Sequence, residues 1–148
     1  PSMPTLPIRQ HDILDGWPSD APAEANLILL DPPYWKQAAG RYPEHEHQLG
    51  DATLEQFMVW WGEIVAACAA HLTVGGYLAF IVSPTEDDGT VVDHALAMWR
   101  TCEGAGLHTV RRIIVPYQTQ QATGQQVEWA REHRRLLKLY RDLIVMGA

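Results

Sequence analysis

The 148-residue sequence has no internal repeat, no low-complexity tract and only two cysteines. It also has no run of about eighteen apolar residues, which excludes a membrane-spanning helix. Residues 1–7 lack a basic region followed by an apolar one, so no secretory leader is read. Cys68 and Cys102 both fall in apolar, helix-like stretches. They read as reduced, buried thiols rather than as a disulfide framework or a metal site. Together these absences point to the cytoplasm. A P-loop, a nucleophile elbow and a dinucleotide fingerprint are missing too, which removes the phosphate-cradling and serine-hydrolase classes.

Basic residues are scarce where they would be needed to hold nucleic acid. Residues 1–110 carry four Lys+Arg against fifteen Asp+Glu, a net of −11, while residues 111–148 carry seven against three, a net of +4. One face of such a polarised domain can still meet phosphate. Sequence-independent affinity comes mostly from phosphate neutralisation, so a nucleic-acid substrate would need further grip from another domain or subunit.

What is present is a folded α/β pattern, with 47% hydrophobic residues and six tryptophans. Leu6–Ile8 reads as a short strand and 18–25 as a Pro- and Ala-rich loop. Leu27 to Leu30 is a continuous apolar run, as expected of a strand buried on both faces of a parallel sheet. After a polar stretch at 35–51, Leu54, Phe57, Met58, Trp61, Val65, Cys68 and Leu72 form a helical stripe. Its cap is Thr53, in a capping box with Gln56, or else Asp51. Gly75-Gly76 then leads to a strand over 77–82, and 84–89 reads as an acidic loop. A second helix carries Val92, Ala95, Leu96, Trp99 and Cys102 and ends at Gly104 and Gly106. A third strand, 110–115, leads to a Gln-rich loop at 118–126. A basic helix over 127–139 and a last strand over 143–146 complete the chain. The alternation predicts an open, mostly parallel twisted sheet with helices on both faces, as one domain over 1–148.

In such sheets ligands bind beyond the carboxyl ends of the strands. Asp31-Pro32-Pro33-Tyr34 stands at that end of the Leu27–Leu30 run, followed by Trp35. This motif resembles the catalytic motif of DNA amino-methyltransferases, which modify adenine N6 or cytosine N4. His11-Asp12-Ile13-Leu14 upstream, and the helix, Gly75-Gly76 turn and strand downstream, are similar to the beta-type members, in which the catalytic motif precedes the cofactor glycine motif. The resemblance covers most of residues 10–83. It implies a partial class I (Rossmann-like) methyltransferase fold and S-adenosyl-L-methionine as cofactor. It implies a DNA substrate whose target base leaves the duplex by flipping, with RNA not excluded and restriction-modification among the possible settings. Adenine N6 is the expected target, by family tendency.

The resemblance also assigns residues. Asp31 and the Pro32 carbonyl would accept the two N–H bonds of the target amino group, and the prolines fix the backbone while removing donors. Tyr34 would stack on the base. Asp12 and Ile13, with Asp31, would meet the cofactor; for Asp12 a helix cap or turn residue is the competing reading. Trp35 lines the base pocket or simply packs. Gln118 and Thr119 would read base edges, or form a plain flexible loop. Arg131, Arg134, Arg135, Lys138 and Arg141 would make a basic helix face, phosphate-contacting or salt-bridged, with Glu128, Glu132 and Asp142 interspersed. Glu44-His45-Glu46-His47 reads as a solvated surface rather than a metal site, since no further ligand cluster accompanies it.

One family element is missing. No aromatic-x-Gly-x-Gly turn follows a strand; Gly104-Ala105-Gly106 and Gly75-Gly76 both join a helix to a strand. Three readings stay open. The chain is the catalytic part of a longer enzyme, or it works with a partner chain that supplies the glycine motif, or it is a non-catalytic pseudo-methyltransferase that binds nucleic acid or a partner. If half of a sheet is missing, an apolar edge or face should be exposed, and a homodimer or partner chain should cover it.

Overall fold

The computed structural model describes residues 8–33, 35, 52–87, 90–116, 124–134 and 139–148. A 3-10 turn, Ile13–Asp15, precedes β1 (Ala25–Leu30), α1 (Leu54–Ala70), β2 (Leu72–Val82), β3 (Thr85–Asp87) and β4 (Thr90–Val92). Then come α2 (His94–Gly104), β5 (His108–Pro116), α3 (Gly124–Glu132) and β6 (Tyr140–Gly147). Four strands form one sheet in the order β1-β2-β6-β5, and β3 and β4 form a separate antiparallel pair.

The direction of the strands corrects the expectation of a mostly parallel sheet. β1 and β2 are parallel, but β6 runs antiparallel to both β2 and β5. The sheet is therefore mixed, with β1, β2 and β5 pointing one way and β6 inserted between them in reverse. Apolar composition marks a strand, not which way it runs.

Local chemistry explains the helices. Thr53 caps α1 by accepting the Gln56 N–H at 3.2 Å. The helix then buries Phe57, Trp61, Ile64, Val65 and Cys68 at helical spacing. Asp93 caps α2 through the Leu96 N–H. At the other end of α2 the Gly106 N–H returns to the Glu103 carbonyl and the Leu107 N–H to that of Cys102. This six-to-one and five-to-two pair needs a left-handed residue, and Gly106 supplies it at φ +89. Gly104-Ala105-Gly106 is thus a helix stop, as its sequence position suggested.

The two faces of the sheet differ. Leu78 and Phe80 on β2 and Ile144 and Met146 on β6 are fully buried in one core with the apolar stripes of α1 and α2. The alternate positions face the other way. There Leu27 and Leu29 are 59% and 60% exposed, and Tyr77, Ile113 and Val115 are also exposed. Among the described residues, α1 and α2 cover one face only, and α3 buries just Ala130. This corrects the expectation of helices on both faces.

Other expectations also change. Ile8 is exposed and lies outside any strand, while Leu6 and Pro7 fall outside the described residues. Within the expected acidic loop the backbone of 85–87 pairs with 90–92 as a hairpin. The basic helix is shorter: α3 ends at Glu132, and Arg135 and Lys138 lie outside the described residues. Arg141 and Asp142 belong to β6 instead, and Asp142 is fully buried.

Candidate functional site

Because β1, β2 and β5 share a direction, their carboxyl ends collect at one edge of the sheet. That edge holds Asp31-Pro32-Pro33, then Ser83-Pro84-Thr85, then the outlet of β5 at Pro116. Tyr34, Gln118 and Thr119 lie outside the described residues. The strand that leads to Gln118 and Thr119 nevertheless ends on the same edge as the motif.

At this edge Asp31 is exposed, and Pro32 and Pro33 are half-buried. Ile13, Asp31, Pro32 and Pro33 line a cavity of about 240 Å³, with Leu30, Trp61 and Ile64 also in its wall. The structure thus joins two segments that were singled out separately in the sequence. The 3-10 turn reaches the motif because Ile13 and Leu14 pack on the α1 core. The walls are apolar apart from one carboxylate, which suits a flat ring or a soft cation better than a phosphate.

Asp12 sits at the entrance to that turn as its N-cap. Its Oδ1 accepts the Leu14 N–H at 3.0 Å, and the His11 ring bonds the Gly16 carbonyl at 2.7 Å. The cap role is therefore real, and it fixes the position of Ile13. Trp35 is buried and does not line the cavity. Its indole N–H donates to the Ala52 carbonyl at 2.7 Å, and its ring meets His94 edge-on at 5.6 Å.

Sequence reasoning missed two buried polar contacts of the core. His94, the first residue of α2, is buried with Nε2 2.5 Å from the Thr85 hydroxyl. Asp142 is held by Arg112 Nε at 2.9 Å and Nη2 at 3.3 Å. The hydrogen bond to Asp142 is the main reason the Arg112 guanidinium is held above its usual range. Only a strand register across β5 and β6 brings these two residues together.

Burial pushes the thiol of Cys68 up to about 11 and that of Cys102 up to about 12. Both are free cysteines, and neither is a poised nucleophile. Among the described residues no group of three or more His, Cys, Asp or Glu converges on a metal position. Glu44 to His47 lie outside those residues. A larger depression of about 550 Å³ runs between 9–11 and 18–22. Arg9 and Asp20, an ion pair, are among the residues that line it. Among the described residues no helix is long and apolar enough to cross a membrane.

No protein-family model and no curated protein sequence matches the chain. Solved structures do. A putative DNA modification methylase of Thermus thermophilus in complex with S-adenosyl-L-methionine superposes with a TM-score of 0.57 at 19% identity, covering 91% of this chain and 48% of that one. The cytosine-N4-specific PvuII DNA methyltransferase gives a TM-score of 0.62 at 10% identity, covering 90% of this chain and 45% of that one. The chain spans about half the length of both structures. Over that length it has the fold of DNA modification methylases.

Proposed function

We propose that this chain is the catalytic part of an S-adenosyl-L-methionine-dependent enzyme that methylates an exocyclic amino group of a DNA base. One observation carries the reading: in a fold shared with DNA modification methylases, Ile13 and Asp31-Pro32-Pro33 line one cavity at the carboxyl end of β1. Adenine N6 is the proposed target, from the aspartate in the motif. Cytosine N4 is the second reading, favoured by the specificity of one matched structure.

The cavity fits part of the cofactor. At about 240 Å³ it lies below the ~300–1,000 Å³ typical of small-molecule sites, so these residues would enclose one end of such a ligand. When bound, S-adenosyl-L-methionine supplies an electrophilic methyl group. The chain's own residues prepare the nucleophile. An exocyclic amino group shares its lone pair with the ring and is a weak nucleophile. The Asp31 carboxylate and the Pro32 carbonyl accept its two N–H bonds and draw the nitrogen toward tetrahedral geometry, which localises that pair. As the N–C bond forms and the methyl–sulfur bond breaks to leave a neutral thioether, the amino proton would become acidic and pass to Asp31 or to water, so no strong base would be required. Tyr34 stacks on the flipped base, contributing about 1–3 kcal/mol. The rate then comes from positioning and from fixed dipoles.

The remaining cofactor contacts are assigned to a further α/β segment, of a longer polypeptide or of a partner chain, that carries the glycine-rich turn. The outer edge of β1 and the exposed Leu27 and Leu29 are its seat. Parallel strands are normally covered on both faces, and about half of each matched structure has no counterpart in this chain. Titration of S-adenosyl-L-methionine into the chain, with Asp12→Ala as control, tests the site. Binding lost in Asp12→Ala would mean that these residues alone make a working pocket. No binding by residues 1–148 alone, regained when the segment with the glycine-rich turn is supplied, is the expected result. A methyl-transfer assay on adenine- and cytosine-bearing DNA then tests the reaction. Full activity in Asp31→Ala would sink the reading.

A further inference from the structure

Beneath the motif lies a buried polar contact that the reaction described above does not use. His94 opens α2, is almost wholly buried, and pairs through Nε2 with the Thr85 hydroxyl at 2.5 Å. Its ring meets Trp35 edge-on at 5.6 Å and Phe57 of α1 at 5.9 Å. A polar ring in an apolar core is costly unless it is bonded. Here the bond also fixes which way the ring faces, and therefore where Trp35 can lie.

The placement matters because Trp35 is the far anchor of the motif. At the near end Leu30 is locked in register with Phe80 of β2. At the far end the Trp35 indole N–H is tied to the Ala52 carbonyl at 2.7 Å. Asp31-Pro32-Pro33 therefore leaves a strand fixed in register and is followed two residues later by a tied indole, and two prolines leave it little freedom to absorb a shift. Thr85 follows Ser83-Pro84 at the outlet of β2, on the same edge of the sheet.

We infer that His94 is a positioning residue, which with Thr85 holds Trp35 so that Asp31-Pro32-Pro33 is presented at the edge of the sheet. The inference rests on the proposed methyl transfer for its functional meaning, but its structural half stands apart from that reading. His94 touches neither base nor cofactor; it acts through Trp35.

Three variants test it. His94→Phe keeps an aromatic ring and loses the bond. Thr85→Val removes the same bond from the other side. His94→Gln carries a polar atom at about the reach of Nε2. The Trp35 indole N–H resonance is read in the ¹⁵N-labelled chain, and single-turnover methyl transfer is read in the complete enzyme. His94→Phe and Thr85→Val are expected to move the Trp35 resonance and slow transfer by about 10–100-fold, since misplacement of ~1 Å has that effect. KM for DNA should stay within about twofold, and His94→Gln should recover much of the rate. Folded His94→Phe with an unmoved Trp35 resonance and an unchanged rate would overturn the inference. A loss of rate matched by loss of folded protein, and not recovered by His94→Gln, would also overturn it. Should the wild-type enzyme transfer no methyl group, the functional reading fails; the Trp35 resonance still decides whether His94 positions the segment.

Discussion

The two faces of the central sheet are built from the same strands yet have opposite fates. On one, Leu78, Phe80, Ile144 and Met146 are sealed under α1 and α2. On the other, Leu27, Leu29, Ile113 and Val115 keep much of their surface in contact with solvent. Every strand contributes to both faces, since neighbouring side chains point in opposite directions. The difference is therefore not one of composition. The covered face is a finished core. The open one has apolar character without a matching layer among the described residues, as an interface has before its partner arrives. The candidate site lies where these two conditions meet, at the end of β1, the outermost strand on its side of the sheet.

Substitutions can sharpen or break this contrast. The largest effect is expected at the site. Asp31→Ala should lower methyl transfer by about 10²–10³-fold and leave the melting temperature unchanged, because the side chain is exposed. On the covered face, Trp61→Ala should cost about 3–5 kcal/mol in denaturant titration, since Trp61 is fully buried and its indole N–H is bonded to the Met98 carbonyl. Arg112→Met should cost about 2–3 kcal/mol by the same measurement, because it leaves the buried Asp142 carboxylate without its guanidinium.

The thiols give a pH test of the same core. Burial holds Cys68 at about 11 and Cys102 at about 12, above an ordinary value of 9.0. The unfolded chain ionises first, so their contribution is intact below pH 9 and declines as pH rises toward the folded values. Chemical denaturation at pH 8 and pH 10.5 should show a fall in stability that shrinks in Cys68→Ala/Cys102→Ala. The smallest effect is expected on the open face. Leu29→Ala should change the stability of the chain alone by less than about 0.5 kcal/mol. Leu29→Lys should instead weaken association with a polypeptide carrying the glycine-rich segment, seen by sedimentation. A large loss of stability in Leu29→Ala would mean that this face is already packed.

Much of the architecture was legible because hydrophobic spacing reports burial directly. The α1 stripe and the runs that became β2 and β6 are of this kind, whereas no residue of β1 or β5 is buried, against the expectation of a Leu27–Leu30 strand covered on both faces. The 3-10 turn and the motif were legible as chemistry, and the structure brings Ile13 and Asp31 to one cavity. What stayed hidden depends on pairing over long separations. Nothing local says that β6 runs backward between β2 and β5. Asp142, set among arginines, looks like part of a charged surface until the register brings Arg112 beside it. The hairpin over 85–92 was missed because Thr85, Glu86 and Asp87 are polar and lack the alternation of a half-buried strand. His94 escaped notice for a similar reason: one histidine at a helix start carries no sign that it will be enclosed by Trp35, Phe57 and Thr85.

The insertion of β6 has a consequence for how the molecule comes into being. Among the described residues β5 pairs with β6 alone, and β2 gives β6 one of its two edges. During synthesis β1, α1 and β2 can assemble early, because all three precede β5 and β6 in the chain. β5 must wait as an unpaired strand, beside an exposed β2 edge, until residues 140–147 leave the ribosome. In that interval the nascent chain presents two open edges, the condition under which strands pair with the wrong neighbour. The reversed strand thus acts as a timing element: its arrival turns two separate pieces into one sheet.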